Sequence, residues 1–278
     1  MAPVTLRSIV AACTGLAALA GTVLAAAPAS AQFSNCHAIA DAFPNARIIR
    51  VANETPQRDY TVEIRYIGHS TFRITAPDGT TIATDYAGSA GAGPTPDVVT
   101  MNHAHTSHFT NFPDPAIPHV LKGWGEDGQP AQHMLQVGEV LVRNVTSDIR
   151  NYLGVEADGN SIFIYEIQGL CIGHLGHLHQ PLSDAQVAEI GRLDVVFVPV
   201  DGSYTMDQRA MMEVVSRLRA SIAIPMHWFG AYTLADFINR TRADGLTIAM
   251  PSDPVLRVSL NSLPERPTFV VLPRTFGE

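Results

Sequence analysis

The chain has 278 residues, with 18 Lys+Arg against 26 Asp+Glu and a formal net charge of −8. That acidic balance, without any basic run, argues against nucleic acid as a main partner. No internal repeat or low-complexity segment follows residue 31, so a single folded domain is expected over 32–278, a length one α/β domain fills.

Residues 1–31 read as a secretory signal peptide. Arg7 supplies a positive start, Ile9 to Ala27 is apolar, and Ala29-Ser30-Ala31 is a small-x-small cleavage signal before Gln32. The weak, Ala/Gly-rich hydrophobicity favours a cleaved leader over a stable membrane anchor, which places the protein in the periplasm or outside the cell. Cys36 and Cys171 remain after cleavage. An exported compartment permits a disulfide between them, and two separate thiols are the alternative.

After a lead-in to about residue 58, Tyr60 to Ile67 alternates apolar and polar residues as a half-buried strand does. Ser70 to Ile74 and Thr81 to Thr84 are two more strands around the Pro77-Asp78-Gly79-Thr80 turn. Thr95 to Met101 reads as a short buried strand. Gln136 to Val145 alternates again, and Ser161 to Cys171 gives two strand-like runs around Gln168-Gly169. Ser183 to Gly191 is a short helix with Ser183 as its N-cap. Leu193 to Val200 and Ser221 to Met226 are continuous apolar runs, typical of strands covered on both faces. Met206 to Ala220 has helical periodicity with Met211, Met212, Val215 and Leu218 on one stripe, and Thr233 to Ala243 is a helix ended by Gly245. Strands followed by strand–helix–strand units suit two sheets with helices on their outer faces.

Three motifs carry chemistry, and each closes a predicted strand. Asn102-His103-Ala104-His105-Thr106-Ser107-His108 places three histidines within six positions. Histidine is the commonest metal ligand, and strand ends are where open α/β sheets put their sites. Cys171 to His179 contains His174, His177 and His179. Ile224-Pro225-Met226-His227 ends on a single histidine. His119 and His133 lie in loops and read as solvated surface. Trp124, Trp228 and Tyr204 are candidates to line a pocket.

The ordered motifs resemble the metallo-β-lactamase superfamily, in its lactonase-like hydrolase branch. The matching pieces are Ile67-Gly68-His69-Ser70-Thr71-Phe72, Ala83-Thr84-Asp85, the His103–His108 run, His174-Leu175-Gly176, Asp201 to Met206 and Ile224 to His227. The resemblance implies an αββα sandwich of two mixed sheets with outer helices and one or two metals at the sheet edges. It implies His103, His105 and His174 as ligands of one metal, and His108 and His227 as ligands of a second. Asp85 matches an acidic residue behind the ligands, and His69 lies in a family motif where it packs more often than it ligates. Asp201 is a candidate to hold a ligand histidine or to shuttle a proton.

Two positions depart from the family pattern. Ser107 stands where the family has an aspartate that binds the second metal and assists the attacking water. His177 stands where the family has a metal-bridging aspartate. Ser107 can still hydrogen-bond to the attacking group, and His177 can complete a three-histidine second site with His108 and His227. A zinc held by three histidines with an open position is a known catalytic arrangement, so loss of the aspartates does not by itself abolish hydrolysis. The expectation is an exported hydrolase that uses zinc or another divalent metal to deliver hydroxide to an ester, lactone, amide or phosphodiester bond of a small molecule. The alternative is a degenerate member that binds metal or ligand without turnover. A redox member fits less well, because such proteins keep an acid-rich di-iron site.

Overall fold

Alternation of apolar and polar side chains builds the first layer. The computed structural model describes residues 34–37, 60–125 and 128–275. In β1 (Val62–Gly68), Val62, Ile64 and Tyr66 enter the main core while Glu63 and Arg65 stay half-buried. β2 (Thr71–Thr75), β3 (Thr81–Ala83), β4 (Val98–Met101) and β5 (His119–Lys122) follow on one side of β1. The late strand β13 (Val255–Val258) pairs antiparallel on its other side. The result is a mixed six-stranded sheet in the order β13-β1-β2-β3-β4-β5.

The second sheet contains β6 (Met134–Val137), the long hairpin of β7 (Val140–Asn151) and β8 (Gly154–Ile167), and β9 (Leu170–His174). It continues through β10 (Val195–Pro199), β11 (Ile222–Met226), β12 (Thr247–Ala249) and β14 (Thr268–Val270). Its order is β12-β14-β11-β10-β9-β8-β7-β6. Every residue of β10 and β11 is buried, as parallel strands covered on both faces require. The two sheets face each other: Phe72 stacks on Phe197 with ring centroids 4.0 Å apart, and the Thr100 hydroxyl meets the Tyr165 hydroxyl at 2.7 Å. On the other face of β4, Val99 and Met101 join Ala83, Tyr86 and Ile117 in a second, smaller core under loops.

The helices α1 (Asp184–Ile190), α2 (Gln208–Leu218) and α3 (Ala231–Ala243) pack against β7, β10 and β12 of the larger sheet. α1 starts where the sequence pattern puts it. The Ser183 hydroxyl accepts the Gln186 N–H in a capping box. α2 buries Met211, Val215 and Leu218 along its apolar stripe. The elements read from sequence are present, with two differences: the Gln136–Val145 run is split by a turn into β6 and β7, and His119, read in a loop, opens β5 half-buried. That reading omits β5, β12, β13 and β14, and the signal peptide and lead-in lie outside the described residues apart from 34–37.

That short segment is tied down by two devices. Cys36 and Cys171 form a disulfide. The buried Glu166 carboxylate accepts from the Ser34 hydroxyl, the Asn35 N–H and the Arg143 guanidinium, while Arg143 also donates to the carbonyls of Glu189 and Ile190. Gly191 completes the fit, since a Cβ there would come within 2.2 Å of the Cys36 carbonyl oxygen. Replacing Cys36 or Cys171 with serine should lower stability by about 2–5 kcal/mol. Denaturant unfolding of oxidised protein measures this, and reductant should lower the unmodified protein to the same value.

Candidate metal centre

Strand ends from both sheets converge on one cluster of imidazoles. His69 comes from the β1–β2 turn, Asp85 follows β3, and His103, His105 and His108 follow β4. His177 and His179 follow β9, Asp201 follows β10, and His227 follows β11. Tight turns fold the first motif toward one point: the His105 N–H donates to the His103 carbonyl at 2.8 Å, and the His108 N–H to the His105 carbonyl at 2.7 Å. The two sheets are stitched where they meet, the His227 N–H donating to the His69 carbonyl at 2.8 Å.

The centre of the cluster is the pair His108 and His227. Their Nε2 atoms lie 3.1 Å apart and both rings are buried. His108 Nδ1 donates to Asp85 at 2.5 Å, and His227 Nδ1 donates to Asp201 at 3.0 Å. An ionised carboxylate only accepts, so the hydrogen-bond network assigns a proton to each Nδ1; with both rings neutral, each Nε2 is left with a lone pair. Two lone pairs held face to face repel, and a cation that accepts both relieves the repulsion. A carboxylate behind a ligand imidazole is also the outer-shell arrangement of metal-binding histidines. The donor set therefore fits a metal ion.

Electrostatics keep the cluster in its ligating form. Burial, then the nearness of other imidazoles, holds His108 and His177 well below the ordinary histidine range. Burial also lowers His103, against a hydrogen bond to Gly159, and it lowers His69 to about 3. Burial and mutual repulsion thus keep His69, His103, His108 and His177 neutral at pH 7. Burial pushes the Asp85 carboxyl up to about 6, opposed by His174 and the Asn102 N–H. Burial also raises Asp201, but hydrogen bonds from His227 and Thr205 outweigh it and hold this carboxyl well below the usual range.

The positions singled out from sequence take different parts. His103 Nδ1 donates to the Gly159 carbonyl at 2.7 Å, which leaves Nε2 free to ligate. His105 lies at the exposed edge with Nδ1 2.9 Å from the Ser107 hydroxyl. Ser107 therefore supports a histidine. Asp201 is saturated: beyond His227 it accepts the Thr205 hydroxyl and the backbone N–H groups of Ser203, Tyr204 and Thr205. It orients His227 and has no capacity left to shuttle a proton.

His174 departs from the expected ligand role. It is buried against Phe72 and Phe197, its Nε2 donates to the Ser70 carbonyl at 2.8 Å, and its Nδ1 accepts the Gly176 N–H at 3.0 Å. Both nitrogens are spent on the fold. His177 departs too. The Arg150 N–H donates to His179 Nδ1 at 2.9 Å, so neutral His179 carries its proton on Nε2, which lies 3.0 Å from His177 Nδ1. His177 Nδ1 must accept that proton, and its own hydrogen sits on Nε2. Its ring stands 4.6 Å from that of His108, offering an N–H where a ligand needs a lone pair.

His69, read from sequence as packing, lies inside the cluster. One ring nitrogen from each of His69, His108 and His227 falls within 4.8 Å of the others. No spacing pattern marks it, because it is a lone histidine in a turn. Of the aromatic candidates, Tyr204 stands at the rim beside Phe229, which lies 5.2 Å from His227. Trp124 packs on Phe109, and Trp228 on Tyr66. His133 donates to the Lys122 carbonyl, outside the cluster.

Residues 63–227 match the β-lactamase superfamily domain profile. The chain belongs to the metallo-β-lactamase superfamily. A superfamily structure from Thermotoga maritima, assigned as a zinc-dependent hydrolase, is 28% identical with a TM-score of 0.55, covering 76% of this chain and 98% of its own. Igni18, a metallo hydrolase from Ignicoccus hospitalis, shares the fold at 19% identity and a TM-score of 0.50, over 72% of this chain and 99% of its own. A metal-dependent hydrolase of Anaeromyxobacter dehalogenans is 28% identical over 208 residues, 61% of this chain and 75% of that protein. One from Methanoregula boonei is 24% identical over 182 residues, 60% of this chain and 82% of that protein.

The superfamily frame sharpens a test of the two departures. Zinc titration followed by elemental analysis should give the unmodified metal count for both His174→Ala and His177→Ala. His174→Ala should in addition lose about 2–4 kcal/mol of stability, since it leaves a cavity and strips the Ser70 carbonyl of its closer donor. Loss of one metal in His177→Ala would return that residue to the ligand set.

Proposed function

We propose that the protein is a metal-dependent hydrolase acting on an ester, lactone, amide or phosphodiester bond of a small molecule. The observation that carries this reading is the His108–His227 pair, two buried Nε2 atoms 3.1 Å apart with a carboxylate behind each ring. His108 and His227 would hold the metal, and His103 and His105 bring further nitrogens to the open side. Zinc suits an imidazole-rich set, as do copper, iron and nickel. A divalent metal held there lowers the pKa of water toward neutrality and polarises a carbonyl or phosphoryl oxygen.

The chain's own groups supply the rest. Asp85 and Asp201 fix the tautomer and direction of the two ligand rings. The His177 ring stands beside the same centre, 4.6 Å from His108 and 5.0 Å from His227, and its Nε2–H can donate to an oxygen on which charge develops, an electrostatic role that needs the proton to stay in place. The relay from the Arg150 N–H through His179 keeps it there. Phe229 and Tyr204, both largely exposed, form an aromatic rim for the apolar part of a substrate. The names of the relatives agree with hydrolysis. The reading that the protein binds metal without turnover draws on Ser107 and His177, neither of which supplies the anionic ligand found in the family.

Export to the periplasm or beyond is part of the proposal. The signal-peptide pattern of residues 1–31 supports it, and so does the Cys36–Cys171 disulfide, a bond that persists in oxidising compartments. Among the described residues no helix is long and apolar enough to cross a membrane.

Metal analysis with an activity panel of phosphodiesters, lactones, esters and amides tests the function. At least one class should be turned over, chelation should abolish it, and added zinc should restore it. Metal binding with no turnover in any class would favour the non-catalytic reading. Asp201→Asn should weaken metal affinity by about 10–100-fold, because the amide can present an N–H to His227 Nδ1 and upset its tautomer. Competition against a chromophoric chelator measures that loss.

A further inference from the structure

We propose that His69 is the third protein ligand of the buried metal, forming with His108 and His227 an all-imidazole site. This rests on the reading of the cluster as a metal centre, and goes beyond it by replacing the family's aspartates with a residue from a different part of the chain.

Four observations converge. A ring nitrogen of His69 lies within 4.8 Å of one from each of His108 and His227, close enough for one ion to bind all three. His69 Nε2 is buried and, among the described residues, has no hydrogen-bond partner. A buried nitrogen without a partner is costly, and the ordinary explanations are a ligand or an ordered water. The His69 ring cannot turn freely to find another partner, because it is enclosed by His227 at 4.2 Å, His108 at 5.3 Å and Phe229 at 5.5 Å between centroids. The backbone is held to this placement as well: His69 has φ +50°, a left-handed conformation rare outside glycine, and its carbonyl is gripped by the Tyr66 hydroxyl and the His227 N–H.

His103 keeps a free Nε2, but among the described residues only His69 brings a ring nitrogen within 4.8 Å of both His108 and His227. Both nitrogens of His174 serve the fold, and His177 presents an N–H. Three nitrogens leave a fourth position open, as a catalytic-type zinc site needs.

The test uses the full-length protein with zinc, cobalt(II) and imidazole as probes. His69→Ala should weaken zinc binding by roughly 100-fold, the upper end of what loss of even an outer partner costs. The visible cobalt(II) absorption should shift or fade in parallel, and exogenous imidazole should restore it by filling the vacated space. In metal-free protein the same substitution should not lower the melting temperature, because it removes an unpartnered nitrogen. A packing role predicts the opposite: lower metal-free stability, unchanged metal affinity and no imidazole rescue, and that set of results overturns the proposal. His69→Gln, which keeps polarity and bulk, serves if the alanine variant does not fold, with the same expected loss. If the unmodified protein and His108→Ala bind zinc equally weakly, the metal-centre reading itself fails. If His108→Ala loses zinc while both His69 variants keep it, only the assignment of His69 fails.

Discussion

The site depends on one arrangement: two carboxylates, one at the edge of each sheet, each fix an imidazole so that the two Nε2 atoms confront each other. Asp85 follows a strand of the six-stranded sheet and Asp201 a strand of the eight-stranded sheet. Burying two carboxylates is costly unless each oxygen is met. Here Asp85 receives the Asn102 N–H and the His108 ring, while Asp201 receives three backbone N–H groups, two hydroxyls and the His227 ring. The sheets cannot slide past one another without breaking this alignment. The main core, continuous between them, holds the strand ends at the spacing the imidazoles need.

Backbone conformation is set against local preference at the same point. His69, Asp85 and His227 all have positive φ, at +50°, +48° and +59°. Such residues persist only where surrounding contacts over-determine them, and they gather at functional sites. A layer of asparagines supports the other side. Asn160 donates to Ser147 and accepts the His177 N–H, and Asn102 donates to the Ser161 carbonyl. Gly176 sits between them at φ +60°, where a Cβ would come 2.4 Å from Asn160 Oδ1. The glycine of the His174-Leu175-Gly176 motif thus lets the His177 loop close over the asparagines.

Much of this was readable from the chain because it rests on local pattern. Period-two alternation found β1, continuous apolar runs found β10 and β11, and the Ser183 cap found α1. The His103–His108 run and His227 announced themselves by number and by position at strand ends. What spacing could not convey is where a side chain's nitrogens are spent. His174 lies on a buried strand one residue before the loop, and its register turns it into the core between two phenylalanines. His177 looked like a ligand until its partner His179 and a distant backbone N–H, that of Arg150, fixed its proton. His69 stood in a matched motif but without ligand spacing, since its place in the cluster comes from how the strand ends meet. The strand β13 was missed for a related reason: it belongs beside β1, far away in sequence.

These particulars change what the loss of the family's aspartates means. In the expected site, negative charge would touch the metal directly and offset much of its charge. Here Asp85 and Asp201 stand one imidazole away, and the residues that face the centre are histidines rather than carboxylates. A metal held by neutral nitrogens keeps more of its charge for the groups it polarises. The outer carboxylates still attract the cation and hold its ligands in line, so binding and polarising power are divided between two shells. Ser107 and His177 fit that division. The serine steadies His105 at the edge, and the His177 ring stands beside His108, so at these two positions a hydrogen-bonding group stands in place of an anion.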